Sequence, residues 1–434
     1  MLPYKRLRPL RSLASRIVHR QRFSSSSTAP ANSDVLLHLI RDKIRVEGGM
    51  TVAQYMELCV AAPNLGYYTC SDRSGLIFGE QGDFVTSPEI SQMFGELLAV
   101  WIYYELDAIG YVQRPWQLVE LGPGSGVLMQ DLLRTLKRFH ATQLLSVHLV
   151  EVSDYLTDKQ ETALCGQNKG EMGNDQSLWH KRNISTFGCP VYWYKELSHV
   201  PERLSVFVAH EFLDALPVHQ FRRVDKNTWR EVYIDWDEQK SQLQFALAPA
   251  DSLALRAFLP DKVRKDQELD LWEVSPKSGQ IVSLIGERLT QRGGAALFVD
   301  YGHSGERKTS SLRAYSKHEE VEFLHRPGHC DLTADVNFDY LKQLVDEQVC
   351  VFGPITQGEY LKNMGIEVRW KELTEQARSE KQRNYLKRCY DMLTQPDHMG
   401  QKFKVMTVFP KVLKQMFDIR QFPVGFGPLW RNSK

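Results

Sequence analysis

Apolar and polar positions along this 434-residue chain follow two periods, one of strands and one of helices, that alternate through most of its length. Trp116 to Leu121 is apolar except for Gln117 and Glu120, which predicts a buried strand. Leu128, Leu132, Leu133 and Leu136 then recur at helical spacing, so a strand, a glycine loop and a helix follow one another. Apolar runs over 145–152, 191–194, 204–209 and 295–302 predict further strands, and those over 349–352 and 403–409 predict the last two. Helical patterns over 154–163 and 276–292 lie between them. Strands alternating with helices in this way predict a mainly parallel sheet with helices on both faces, a Rossmann-like doubly wound α/β fold.

The flanks of that core read differently. Residues 35–47 and 51–61 carry helical apolar stripes, with Leu36, Leu39, Ile40 and Ile44 in the first and Thr51 placed to cap the second. Turn residues dominate 63–68 and 79–92, and the second stretch leads into a helix expected over 89–106, with Ser87 as its cap and Pro88 at its first position. Such a helix start beside a sheet suits an anionic or carboxylate group. Within 219–245 the period changes to two around a polar turn, which predicts a β insertion. Three regions follow: 31–114, helical and loop-rich, covering the cofactor site; 115–303, the α/β core with its insertion at about 219–270; and 304–434, substrate-side loops, helices and the last strands.

Composition changes the picture mainly at the N-terminus. The first 33 residues hold no Asp or Glu, whereas Lys5, Arg6, Arg8, Arg11, Arg16, Arg20 and Arg22 are basic. Leu7, Leu10, Ala14 and Ile17 form an apolar stripe among them and serines follow at 24–27, the pattern of a mitochondrial transit peptide over residues 1–30. A basic helix for anionic lipid is the other reading. Without those seven charges the chain carries 47 Lys and Arg against 53 Asp and Glu, about −6 where the full chain is +1. A net-acidic chain without basic runs suits a basic substrate segment better than a phosphate backbone. No run of 18 apolar residues predicts a membrane-spanning helix. The seven cysteines are scattered, without a C-x-x-C pair, and read as reduced thiols. His325 and His329 stand four apart beside Cys330, but Pro327 and Gly328 oppose the helix that would present them together, and no metal site is expected.

Candidate chemistry centres on Glu120-Leu121-Gly122-Pro123-Gly124-Ser125-Gly126-Val127. Glycines at alternate positions allow a tight turn and a close ligand, and the next helix offers free N-terminal amides. A dinucleotide site would need G-x-G-x-x-G, and Val127 stands where the third glycine of that fingerprint belongs. With Glu120 ahead of it, the G-x-G-x-G loop resembles motif I of the class I S-adenosyl-L-methionine methyltransferases. A second acid is then expected at the end of the next strand for the ribose hydroxyls, and Glu151 holds that place. The strand over 204–209 ends in His210-Glu211-Phe212-Leu213-Asp214, which puts Glu211 and Asp214 where a substrate would meet a cofactor bound by the first two strands.

Residues 82–91 (G-D-F-V-T-S-P-E-I-S), 120–126, 210–219 (H-E-F-L-D-A-L-P-V-H), 300–302 (D-Y-G) and 328–338 (G-H-C-D-L-T-A-D-V-N-F) together resemble the signature blocks of the MidA-like methyltransferases, across about residues 36–409. That resemblance implies a class I fold, S-adenosyl-L-methionine as cofactor, and Glu120, Gly122, Gly124, Gly126, Glu151, Ser87 and Glu89 as its binding residues. The eukaryotic branch implies a mitochondrial matrix enzyme that forms symmetric dimethylarginine on the 49-kDa-type subunit of NADH dehydrogenase during complex I assembly. Many bacterial members carry Asn where this chain has His210, so no role is assigned to that side chain. A guanidinium is protonated and poorly nucleophilic; carboxylates accept its fork of N–H donors, localise a lone pair and help remove a proton. Glu211 is the candidate to orient it, and Asp214 to share that work or support the loop. The alternatives are an assembly chaperone that keeps the fold and cofactor site, and a methyltransferase for a small molecule or RNA. The lack of a basic face, and of an Asn/Asp-Pro-Pro-Tyr tetrapeptide after the fourth strand, counts against RNA and nucleobases.

Overall fold

A computed structural model of the chain describes residues 32–70, 86–305 and 307–427. The transit peptide expected over 1–30 and the 82–85 part of the first signature block lie outside the described residues. The apolar runs become seven central strands: β1 (Trp116–Leu121), β2 (Leu145–Val150), β3 (Pro190–Tyr194), β4 (Ser205–His210), β5 (Gly294–His303), β6 (Val349–Thr356) and β7 (Phe403–Pro410). They lie in the order β3-β2-β1-β4-β5-β7-β6. All neighbours from β3 to β5 are parallel. β7 runs the other way, antiparallel to β5 on one side and to β6 on the other. The doubly wound, mainly parallel sheet is therefore present. The reversal of β7 is not visible in its apolar run, because periodicity carries no direction.

Every residue of β1 and β4 is buried. A strand between two helical layers has no solvent face, and its alternate side chains feed two cores. Leu118, Val206 and Val208 join the core under α1 (Gln92–Ala108) and α2 (Val127–Arg138). Val119, Leu121 and Phe207 join the opposite core, which contains Val282, Ile285 and Leu289 of the helix Pro276–Arg292.

The helix expected over 89–106 is in fact two. A four-residue helix, Ser87–Ile90, ends at Ser91, whose extended backbone (φ −162°, ψ 136°) lets its hydroxyl accept the Met93 amide at 3.3 Å and cap α1. Thr86, rather than Ser87, stands at the cap of the short helix, and its amide donates to Glu89 Oε2 at 3.4 Å. Pro88 is the second residue. Serine competes with the helical backbone for hydrogen bonds, so Ser91 stops one turn and starts the next. Thr51 does cap its helix (Val52–Ala61): its hydroxyl accepts the Gln54 amide at 3.1 Å while Gln54 Oε1 accepts the Thr51 amide at 2.9 Å.

The β insertion forms its own antiparallel sheet from His219–Arg223, Trp229–Asp237, Gln242–Leu247 and Leu271–Val274. Met50–Thr51 adds a fifth strand by pairing with Ile234 and Tyr233. Leu36, Ile40, Tyr55 and Met56 of the N-terminal helices share one buried cluster with Val232, Ile234 and Leu332. The Ala334 amide donates to the Asp214 carbonyl at 2.9 Å, which ties this lobe to the carboxyl end of β4. No helix among the described residues is long and apolar enough to cross a membrane.

The C-terminal segment is clipped to α1 by Glu105, a buried carboxylate that accepts from Arg420 Nη1 at 2.8 Å, Arg420 Nη2 at 2.7 Å and the Val424 amide at 2.8 Å. Arg420→Met removes the main countercharge and is expected to destabilise the fold by about 3 kcal/mol, with recovery of much of that loss in the Glu105→Leu double variant. Denaturant unfolding of the two variants checks this; an unchanged midpoint for Arg420→Met would show that the buried carboxylate does not need its partner.

Candidate active site

Past Leu121 the chain turns through Gly122, Gly124 and Gly126 at φ 61°, 55° and 83°, the left-handed region that favours glycine. Gly126 is the N-cap of α2. Part of the glycine requirement comes from the chain itself. A Cβ at Gly122 would stand 2.6 Å from Cδ2 of Phe212, and one at Gly126 would stand 3.3 Å from the Gln160 Cα. Glu120, on β1, is buried, and its Oε2 has no hydrogen-bond partner among the described residues. Burial, and then the charge of Glu151, raise its pKa to about 8.

Glu151 follows the last residue of β2. Its Oε1 accepts the Ser153 amide at 2.8 Å and its Oε2 accepts Nε2 of Gln160 at 3.0 Å. Burial raises its pKa to about 7, with both bonds opposing the rise. The same Nε2 donates to the Gly124 carbonyl at 2.9 Å, so the second acid is connected to the glycine loop. Left-handed glycines, a helix N-terminus and two buried acids, one with an unpartnered oxygen, make a set of donors and acceptors that fits S-adenosyl-L-methionine.

The second half of the site begins at the end of β4. Glu211 has φ 49°, a left-handed backbone for a residue with a side chain, and such strain persists only where the surroundings impose it. Asp300, on the neighbouring strand β5, does so. Its Oδ2 accepts the amides of Phe212 at 3.1 Å, Leu213 at 2.8 Å and Asp214 at 3.3 Å, and its Oδ1 accepts the Tyr301 amide at 2.9 Å. Burial, then the charges of Asp214 and Glu211, push the Asp300 pKa up, while the amides pull it down.

Glu211 Oε1 accepts the Ser87 amide at 3.1 Å; its Oε2 has no partner among the described residues, nor does either carboxylate oxygen of Asp214. Burial raises the pKa of Glu211 to about 8 and also raises that of Asp214, which Arg313 partly offsets. The Arg313 guanidinium is itself paired with Asp335 and lies 5.4 Å from the centre of the Tyr301 ring. His210 Nε2 lies 3.2 Å from Glu211 Oε1, and burial lowers its pKa to about 3, so it is a neutral neighbour packed on Phe94.

Ser87 and Glu89 join the two halves. Ser125 Oγ in the glycine loop donates to Glu89 Oε1 at 3.0 Å, while the Ser87 amide reaches Glu211. All nine residues singled out from the sequence therefore gather at the carboxyl ends of β1, β2 and β4. Sequence reasoning missed Asp300, Gln160 and Phe212 as participants. For Asp300 a signal existed, an acid closing a buried strand; for Gln160, a polar residue in a helical stripe, there was none. Among the described residues no group of three or more His, Cys, Asp and Glu is placed to hold a metal, and the Cys330 thiol donates to the His325 carbonyl.

A model of the S-adenosyl-L-methionine-dependent methyltransferases matches residues 97–355. The chain is 42% identical over 399 residues to the Caenorhabditis elegans mitochondrial protein arginine methyltransferase NDUFAF7 homolog, covering 92% of each. It is 40% identical over 399 residues to the Homo sapiens mitochondrial protein arginine methyltransferase NDUFAF7, covering 91% of this chain and 88% of that one. A crystal structure from Burkholderia thailandensis bound to S-adenosyl-homocysteine matches with a TM-score of 0.71 at 26% identity, over 88% of this chain and 95% of the other.

Gly124→Val places a branched side chain at φ 55° and is expected to weaken S-adenosyl-homocysteine binding by at least about 30-fold in calorimetric titration, in a protein that still folds. Native affinity in the variant would remove the glycine loop from the site. A second expectation concerns stability without ligand. The folded Glu211 pKa is raised from its ordinary 4.5 to about 8, so between those values the folded chain holds a proton that the unfolded chain has lost. Stability from this group is thus present at low pH and is lost as pH rises through the window. Glu211→Gln should gain on the native protein in thermal unfolding between about pH 5 and about pH 8.5. A constant gap would mean that Glu211 is ionised throughout.

Proposed function

The chain belongs to the S-adenosyl-L-methionine-dependent methyltransferase family that includes the mitochondrial protein arginine methyltransferases NDUFAF7, and we propose that it methylates arginine of a protein substrate in the mitochondrial matrix. Its cofactor is S-adenosyl-L-methionine, which when bound supplies an electrophilic methyl group on a sulfonium sulfur. In this reading Glu120, Gly122, Gly124, Gly126 and Glu151 hold the cofactor, and Ser87 and Glu89 close the site from the short helix.

The substrate class rests on one observation: Glu211 and Asp214 present three buried carboxylate oxygens with no partner among the described residues, at the carboxyl end of β4. Buried acids of this kind are stabilised by a cation with several N–H donors, and a guanidinium is the side chain that supplies them in a plane. Glu211 orients the guanidinium and, once ionised, accepts the proton that it gives up; Asp214 accepts a second N–H. Asp300 acts on both through the backbone. A chaperone that only holds a client has no use for unpartnered buried acids, which favours the enzyme. Symmetric dimethylarginine as the product and the 49-kDa-type subunit of complex I as the substrate rest on the family resemblance, with the net acidity of the chain without its basic residues 5–22 in their favour.

The test is methyl transfer to the purified 49-kDa-type subunit, with the products located by mass spectrometry. Glu211→Gln is expected to lower kcat by about 100-fold or more while S-adenosyl-homocysteine still binds with native affinity. The native rate should rise with pH and level off above about 8, because Glu211 must lose its proton to act as a base. A native rate in Glu211→Gln would remove that residue from catalysis. A subunit without methylated arginine after treatment with the native enzyme would overturn the substrate reading.

A further inference from the structure

We propose that Gln160 is a positioning residue of the cofactor site, its side-chain amide locking Glu151 to the glycine loop before the cofactor arrives. The inference rests on the assignment of Glu151 to the ribose. Gln160 lies on the helix Asp154–Cys165 and is fully buried. Each of its polar atoms is engaged: Nε2 donates to the Gly124 carbonyl at 2.9 Å and to Glu151 Oε2 at 3.0 Å, and Oε1 accepts Nε1 of Trp193 at 3.0 Å.

The third bond gives the amide its sense. An indole N–H can only donate, so it selects the oxygen of Gln160 and leaves the NH2 for two acceptors. Those acceptors are the two parts of the site that must keep a fixed separation if one ligand is to touch both. The Gln160 Cα also lies 3.3 Å from where a Cβ of Gly126 would sit, so the helix presses on the loop and leaves the side chain little freedom. Ser153 fixes the other oxygen of Glu151. The carboxylate therefore meets its ligand already oriented, as supporting hydrogen bonds do for metal-binding side chains.

The experiment is calorimetric titration of the full chain with S-adenosyl-homocysteine and with its 2′-deoxyribose analogue, for native protein, Gln160→Leu and Trp193→Phe. Native protein should prefer the ribose ligand. Gln160→Leu should bind S-adenosyl-homocysteine about 10 to 100 times more weakly and lose most of that preference, and Trp193→Phe should move both readouts the same way by a smaller factor. A general packing defect would weaken both ligands equally, and that outcome overturns the proposal, as does native behaviour in folded Gln160→Leu. Should Gln160→Leu fail to fold, Trp193→Phe decides. No ribose preference in the native protein would instead remove the Glu151 assignment, and Gln160 with it.

Discussion

The carboxylate of Asp300 receives four backbone amides, and the reactive end of the sheet is suspended from it. Three of the four belong to the consecutive residues 212–214, so one side chain on β5 dictates the path of the chain leaving β4. Four such hydrogen bonds, at about 0.5–1.5 kcal/mol each, are together enough to offset the 1–3 kcal/mol or so stored in the left-handed backbone of Glu211. The same turn lays Phe212 against Gly122 and carries Glu211 to the Ser87 amide. The glycine loop, the short helix and the acids at the end of β4 thereby share one mechanical anchor.

Around that anchor the protein concentrates buried acids. Glu120, Glu151, Asp214 and Asp300 are buried, as is the side chain of Glu211, and burial is the leading cause of the raised pKa of every one. Unpaired buried acids of this kind lower the stability of the fold, a pattern that functional sites share. The scaffold can carry the cost because the apolar layers on both sides of the sheet are fully buried at residues such as Trp101, Trp193, Phe207 and Phe298.

The lobe over this end of the sheet comes from chain segments far apart in sequence. Met50–Thr51, the β insertion and the strand Asp331–Thr333 are separate in the chain but share one apolar cluster. Tyr68 reaches from the N-terminal region to Asp331 with a 2.8 Å hydrogen bond, and Asp335, four residues later, holds Arg313 beside Asp214. The carboxyl end of β4 is thus bordered by segments that no local pattern relates.

Local order is what the sequence by itself determined. Strand and helix periods, the glycine loop, the Thr51 cap and the acids that follow β2 and β4 are all written within a few residues of where they act, because burial on one face and capping of free amides are short-range requirements. Glu120, Glu151, Glu211 and Asp214 were therefore legible as a candidate site before any contact was known. The direction of β7, the break at Ser91, the pairing of Met50–Thr51 with Ile234 and Tyr233, the grip of Asp300 on residues 212–214 and the Gln160 link between Gly124 and Glu151 were decided only in three dimensions. Most of these join groups dozens to hundreds of residues apart, and a side chain's distant partner leaves no periodic trace in the chain that carries it.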